Sequence, residues 1–350
     1  MNINNKIKQF IHDHTWEYGI WYKEYEDFFN SNAGSDERQK QSIELIEKIM
    51  TAHGKEDLYK YLSELARIEN GIKELEPWVR DHVSHAMLCY LLGIFINEYY
   101  LNDNFKIHVD NFQWKLAGLF HDIGYPIEIA QNLMAEYNNK INEIGRKLGF
   151  IQIVDPLFKV SYEDLPILTH GNNSLILIQN QLSKWGLSIN VEQEYTTRLK
   201  NGKVCHGIIS SLLLLKTLDM MYEANNPQRK HRDTFHNMSN INWNQNNFET
   251  HVVQACSAIF IHNLPVEAFN GVRINPINAP LAFTLKLADT LQDWERPSKK
   301  YPKGFSSDFY DLIYKSNSIV IITTLEDRAN KINSELSDFL INDNIIVEKI

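Results

Sequence analysis

Six residues of this 350-residue chain pair metal-ligating chemistry with an apolar setting. His85 lies in WVRDHVSHAMLCYLLG, and the pair His121-Asp122 in WKLAGLFHDIGYP. His206 lies in VCHGIISSLLLLK, His262 in VVQACSAIFIHNLP and Asp289 in PLAFTLKLADTLQDW. A carboxylate or an imidazole inside a packed apolar helix is unfavourable unless it is paired or metal-bound. One such residue would mean little. Six of them on five segments call for a shared partner, and a cation suits them all. Imidazole and carboxylate without thiolate fit one or two divalent ions such as Mn, Fe, Ni, Co, Zn or Mg, and disfavour a structural zinc knuckle. Long intervals separate the segments, so only tertiary folding can gather them.

Other polar residues stand near these six. Two cations could clamp a phosphate: Lys286, three residues before Asp289 and on its helical face, and Arg296, seven residues after it. Arg273 and Lys203 are weaker choices of the same kind. Tyr125 and Tyr162 are aromatic residues able to stack on a base or sugar, whereas Phe158 belongs in the core. His82, three residues before His85, reads as exposed or as a support to the ligands. His170 reads as a cap or loop residue, and His231 and His236 as solvated side chains. Cys205 precedes His206, but adjacent helical residues point in different directions, so it reads as a small core residue. The chain contains no GxGxxG, GxxxxGK[ST] or GxSxG, and these phosphate-loop and hydrolase-elbow routes have no support.

The elements that must position these residues are mostly helices. Gly and Pro are scarce, and apolar residues recur at three- and four-residue steps. Helices are expected near 40–67, 78–100, 113–122, 127–148, 204–224, 250–262 and 279–294, with a sharp stop at HDIGYP. SIVIIT (318–323) and IIVEK (345–349) read as short strands flanking a helix at about 325–341. The expected divisions are an N-terminal helical region 1–77, a metal-binding helical domain 78–300 with an insertion 127–203, and a small α/β C-terminal appendage 301–350. The Asn-rich stretch 225–249 reads as a loop or lid. Together with 127–203 it is expected to roof the metal pocket and select the substrate.

Charge and composition narrow the partners. With 35 Lys+Arg against 44 Asp+Glu the net charge is −9, which argues against general nucleic-acid binding. A small anionic substrate in a locally basic pocket remains compatible. No apolar run approaches the roughly 20 residues of a membrane span, and the polar start lacks a signal peptide, so a cytoplasmic protein without membrane contact is expected. The three cysteines, Cys89, Cys205 and Cys256, make neither a disulfide framework nor a CxxC site. A homo-oligomer is compatible with all of this.

The ordered series His85, His121-Asp122, His206, His262 and Asp289 resembles the HD-domain metal-dependent phosphohydrolases. The first His opens a long apolar helix, Ile-Gly follows the HD pair, and the last Asp sits in LADTLQDWERP. The likeness covers roughly residues 78–297 in outline. It implies a mainly α, HD-type helical bundle in which His85, His121, Asp122 and Asp289 hold one metal. His206 and His262 would then serve a second ion, with Asp122 bridging the pair. Some two-metal members carry a double His at the fourth station, whereas Asn263 follows His262 here. The implied activity is hydrolysis of a phosphoester by a metal-activated hydroxide, and a nucleotide or cyclic nucleotide is the substrate class by analogy. Two other readings share the same residues: a diiron oxygenase acting on a small substrate, and a non-catalytic ligand sensor or scaffold.

Overall fold

The computed structural model describes residues 2–14, 22–55, 57–76, 79, 81–148, 161–224, 245–297, 300–301, 304–315, 318–341 and 345–349. The helices are α1 (Ile3–Asp13), α2 (Tyr22–Asn30), α3 (Asp36–Thr51), α4 (Asp57–Leu75), α5 (His82–Phe95), α6 (Asn111–Phe120) and α7 (Tyr125–Leu148). They continue with α8 (Ser174–Lys184), α9 (Val191–Lys200), α10 (His206–Ala224), α11 (Gln254–His262), α12 (Pro280–Leu291) and α13 (Glu326–Phe339). Wider π-type turns extend α5 over Ile96–Asn102 and lead into α11 over Phe248–Val253. A small sheet contains β1 (Tyr310–Lys315), β2 (Ser318–Thr323) and β3 (Ile345–Lys349) in that order. β1 pairs antiparallel with β2, and β2 pairs parallel with β3. The molecule is mainly helical, and none of its described helices is long and apolar enough to cross a membrane.

Local chemistry explains the boundaries. Side chains of Asn2, Ser35, Asp81, Asp110, Asn173 and Asn190 each accept a first-turn backbone N–H and so start α1, α3, α5, α6, α8 and α9. The Asn190 and Asn173 caps open two helices that periodicity alone did not reveal; α1, α2 and β1 also lie beyond the expected set. Gly54, at φ +63°, stops α3, so the helix expected over 40–67 is two helices. The stop at HDIG is brief. Pro126 sits in the first turn of α7, where its missing N–H has no intrahelical role.

α5, α6, α10, α11 and α12 form the centre of the molecule. α5 packs on α6 and α12, and α11 packs on α6, α10 and α12. All 14 residues of α5 are buried, which is why its apolar character runs all round rather than along one stripe. The two ends of the chain join this core: one apolar cluster contains Ile3, Leu92, Phe260, Leu287 and Val347. α3 packs on α5, α1 on α5 and β1, and α13 on α12 and β3.

The α5–α6 contact turns on Trp114. Its indole Nε1–H donates to Tyr90 O at 3.0 Å, and its ring lies against Gly93. A Cβ at position 93 would fall 1.8 Å from Trp114 Cζ2. In an exposed helix Gly93→Ala would gain about 1 kcal/mol from helix propensity. Here overpacking reverses the sign, and the variant should lose about 2–3 kcal/mol. Urea unfolding measures this; a midpoint equal to or above that of the wild type would show that α5 and α6 are not packed through Trp114.

Candidate metal centre

The helices deliver the six residues from their ends. His85 lies in the first turn of α5, His121 and Asp122 directly follow α6, and His206 is the first residue of α10. His262 is the last residue of α11, and Asp289 lies in the last turn of α12. Asp122 occupies the middle. Its Oδ1 is 3.3 Å from His206 Nε2, 3.6 Å from His262 Nε2 and 3.7 Å from His121 Nε2. Its Oδ2 is 3.6 Å from His85 Nε2. His85 Nε2 is also 3.1 Å from Asp289 Oδ1 and 3.4 Å from His121 Nε2. All six therefore share one site. Small residues permit the approach. A Cβ on Gly124 of HDIG would meet Ser210 N at 2.8 Å and His206 O at 2.9 Å, and the Gly124 N–H donates to Ser210 Oγ.

Every imidazole is oriented from behind. His121 Nδ1–H donates to Gly118 O at 3.0 Å, and His262 Nδ1–H to Ile259 O at 2.6 Å. His206 Nδ1–H donates to Glu128 Oε2 at 2.7 Å, and His85 Nδ1–H to Gln292 Oε1. The Gln292 amide is itself fixed, because its Nε2–H donates to Trp294 O at 2.6 Å. Carbonyls and carboxylates only accept, so Nδ1 carries the proton and Nε2 keeps its lone pair. Four Nε2 lone pairs thus face inward, the arrangement that an acceptor behind Nδ1 gives a metal-binding histidine.

The donor set fits a divalent ion. Two ligands about 2.1 Å from one ion lie about 3.0 Å apart in octahedral and about 3.4 Å apart in tetrahedral geometry. The separations above run from 3.1 to 3.7 Å. His262 Nε2 is buried without a hydrogen bond, a state that a cation would relieve. Cys89, one helical turn beyond His85, places Sγ 3.6 Å from His85 Nε2. The expected thiol-free surroundings therefore need correcting: Cys89 shares a ligand-sized cluster with His85, His121 and Asp289.

Burial pushes His121 down to about 4, against the pull of Asp122, so the imidazole is neutral at pH 7 as a ligand must be. Asp289 is held well below the usual carboxylate range. Burial raises it, but the Arg296 guanidinium beside it outweighs that. Exposure defines a mouth. The Asp289 and His206 side chains are 15% and 12% exposed, whereas those of His121 and Asp122 are 0% and 1%.

The remaining expectations divide. Arg296 Nη1–H donates to Asp289 O at 3.0 Å and lies 3.4 Å from Asp289 Oδ1, beside the site. Tyr125 is half-buried with its ring edge-on to His206 at 5.6 Å. Lys286 turns away. It is buried, and Nζ–H donates to His262 O at 3.2 Å and Glu335 Oε1 at 2.9 Å, so it ties α12 to α11 and α13 and is no phosphate clamp. Tyr162 is buried with its hydroxyl on Gln131 Oε1, which makes it a core residue rather than a stacking platform. Arg273 and Lys203 are exposed, with Arg273 beside the Ile274–Leu340 bridge. His82 is buried and not exposed: Glu69 accepts from both its backbone N–H and its Nδ1. Cys205 is a buried thiol pushed up by burial. His170 belongs to the short turn Thr169–Gly171, while Phe158, His231 and His236 lie outside the described residues.

Most of the described part of the insertion packs away from the site that it was expected to roof, and residues 149–160 lie outside the described residues. Asp164 O accepts from Lys216 and Asp219 accepts from Thr169 N, 10 to 13 residues along α10 from His206, or about 15–20 Å away. α8 lies against α11 and the turn that precedes it. Among the described residues of this region, the first turn of α7, with Tyr125 and Glu128, is the part that reaches the six candidate residues. Most of the Asn-rich stretch lies outside the described residues. Glu128, Gln292 and Cys89 are the site residues that sequence reasoning missed. Gln292 and Cys89 had a signal, standing three residues after Asp289 and four after His85. Glu128 had only its place in a first helical turn.

No family model matches the chain, and neither a curated protein nor a solved structure matches it.

The depressed His121 has a measurable consequence without metal. Between pH 6.5 and about 4 the unfolded chain binds a proton that the folded imidazole refuses, so stability falls as pH drops through that window. The loss amounts to about 3 kcal/mol for a fully buried group. In metal-free protein, the stability of His121→Asn should fall less steeply across this window, by up to about 1.4 kcal/mol per pH unit. Equal slopes in denaturant titrations at pH 6.5, 5.5 and 4.5 would refute the assignment.

Proposed function

We propose that this chain is an HD-type metal-dependent phosphohydrolase that hydrolyses a phosphoester of a nucleotide. Asp122 carries the reading. Its Oδ2 faces His85 while its Oδ1 faces His206, His262 and, at the longest of these distances, His121, so this one carboxylate could serve two ions. His85, His121, Asp122 and Asp289 would hold the first ion, and Asp122, His206 and His262 the second. Cations bound there supply charge against phosphate oxygens and acidify coordinated water to near neutral pH. The chain's own part is positioning. Gln292, Glu128 and the carbonyls of Gly118 and Ile259 fix the four imidazoles in one tautomer. Arg296 keeps Asp289 ionised and lies 26% exposed at the mouth, where a phosphate oxygen would meet its guanidinium. Tyr125 stands beside His206. The bundle excludes water from the Asp122 side, which strengthens each of these interactions.

Elemental analysis of the purified protein, followed by a nucleotide hydrolysis screen with Mn²⁺ or Fe²⁺, tests this reading. Bound metal with release of phosphate or a nucleotide is the expected result. Metal with oxygen consumption and no phosphoester cleavage would overturn it. Asp122→Ala should lose most bound metal and all turnover. Saturating Mn²⁺ should raise the wild-type melting temperature by about 5 °C or more, and that of the variant hardly at all. Full metal occupancy in Asp122→Ala would remove Asp122 from the ligand set.

A further inference from the structure

α13 lies along α12 in an antiparallel register. Near the start of α13, Arg328 Nε–H donates to Asp293 Oδ2 at 2.6 Å. Two turns later, Glu335 Oε1 accepts from Lys286 at 2.9 Å and Thr290 at 3.1 Å. Residues 328, 331 and 335 share one helical face. Between those two anchors that face carries Lys331, close enough to Asp289 and Arg296, at the more exposed edge of the metal centre, to feel both charges.

Among the described residues, charge matching on this side is one-to-one with a single remainder. Arg296 pairs with Asp289, Arg328 with Asp293 and Lys286 with Glu335. Among the described residues, no carboxylate lies within ion-pair distance of Lys331, and the residue is exposed. Burial of part of its stem, with Arg328 beside it, lowers its ammonium below the ordinary lysine range, while Glu335 and Asp289 act the other way and Arg296 adds to the repulsion. An ammonium among two guanidiniums at the mouth of a cation site attracts anions. The reacting phosphoester, engaged by the metals and Arg296, leaves this charge unmatched.

We propose that Lys331 is a specificity-determining residue that binds a second anionic group of the substrate. The substrate is then a phosphoester carrying a further phosphate, a di- or polyphosphate or a bisphosphate, rather than a simple monoester or diester. The C-terminal segment, through α13, completes the substrate site. This inference rests on the proposed phosphohydrolase reading and narrows its substrate class.

Orthophosphate and pyrophosphate separate the two. Calorimetry on Mn²⁺-loaded protein should give pyrophosphate a Kd about tenfold lower than orthophosphate, the size of one charge-assisted hydrogen bond. Lys331→Ala should reduce that advantage to less than threefold, Lys331→Arg should keep it, and Lys331→Glu should reverse it. Lys331 is exposed, so thermal unfolding of the three variants should match the wild type and separate lost recognition from lost folding. An unchanged advantage in Lys331→Ala, or no advantage in the wild type, overturns the role of Lys331 while leaving the phosphohydrolase reading intact. Failure of orthophosphate itself to bind the metal-loaded protein overturns that reading instead.

Discussion

A carboxylate almost sealed from water, Asp122, is the constraint on which the other features of the molecule depend. Desolvating an ionised carboxylate opposes folding by several kcal/mol even after the protein relaxes around it. The four imidazoles around it do little to offset this while neutral, and burial keeps His121 neutral at pH 7. Proton uptake by the cluster or capture of a cation would each supply the missing charge. The backing of every Nδ1 by an acceptor favours the second, because it aims lone pairs rather than N–H groups at the centre.

Meeting that constraint dictates how the helices pack. Helix ends, not helix middles, surround Asp122, since an end can present a side chain without burying a whole polar face. α10 must come close enough for His206 to reach the HD turn, and only a residue without Cβ at 124 leaves room for it. The same holds one layer out, where a Cβ on Gly207 would press on the His262 ring at 3.0 Å. The glycines after His121-Asp122 and His206 are thus packing requirements of the site, and the HDIG and His-Gly steps in the sequence reflect contact between elements.

This distinguishes what the sequence discloses from what it conceals. The six ligand candidates were legible because polar residues in apolar helices violate a local rule, and a shared violation points to a shared site. Central helices were legible from periodicity. Lys286 misled because helical spacing tells which face a side chain occupies but not which neighbour receives it; Glu335 and the His262 carbonyl, far off in sequence, claimed its ammonium. Tyr162 misled for the same reason, through Gln131. His82 read as exposed because its partner, Glu69, belongs to another helix. The path of the insertion was hidden too, as its anchors on Lys216 and Asp219 are tertiary hydrogen bonds with no sequence period.

The segment after Asp289 ties these layers together. In Gln292-Asp293-Trp294-Glu295-Arg296 each side chain grips a different part of the chain. Gln292 holds His85, and Asp293 accepts from Arg328 and from Tyr310 Oη–H at 2.6 Å. Trp294 Nε1–H donates to Asn4 Oδ1 at 2.8 Å, Glu295 pairs with Arg38 at 3.0 Å, and Arg296 returns to Asp289. Glu295 sits at φ +57°, a left-handed conformation that opposes folding by roughly 1–2 kcal/mol in a non-glycine residue. Asn4 and Arg38 grip its carboxylate, and its N–H donates to Phe305 O at 2.6 Å, so the strain is held by α1, α3 and the approach to β1 together. These contacts surround the short segment that also carries Gln292, the residue that accepts from His85. The N-terminal helices and the C-terminal segment thus converge on the stretch that positions His85, and one apolar cluster runs through all of them.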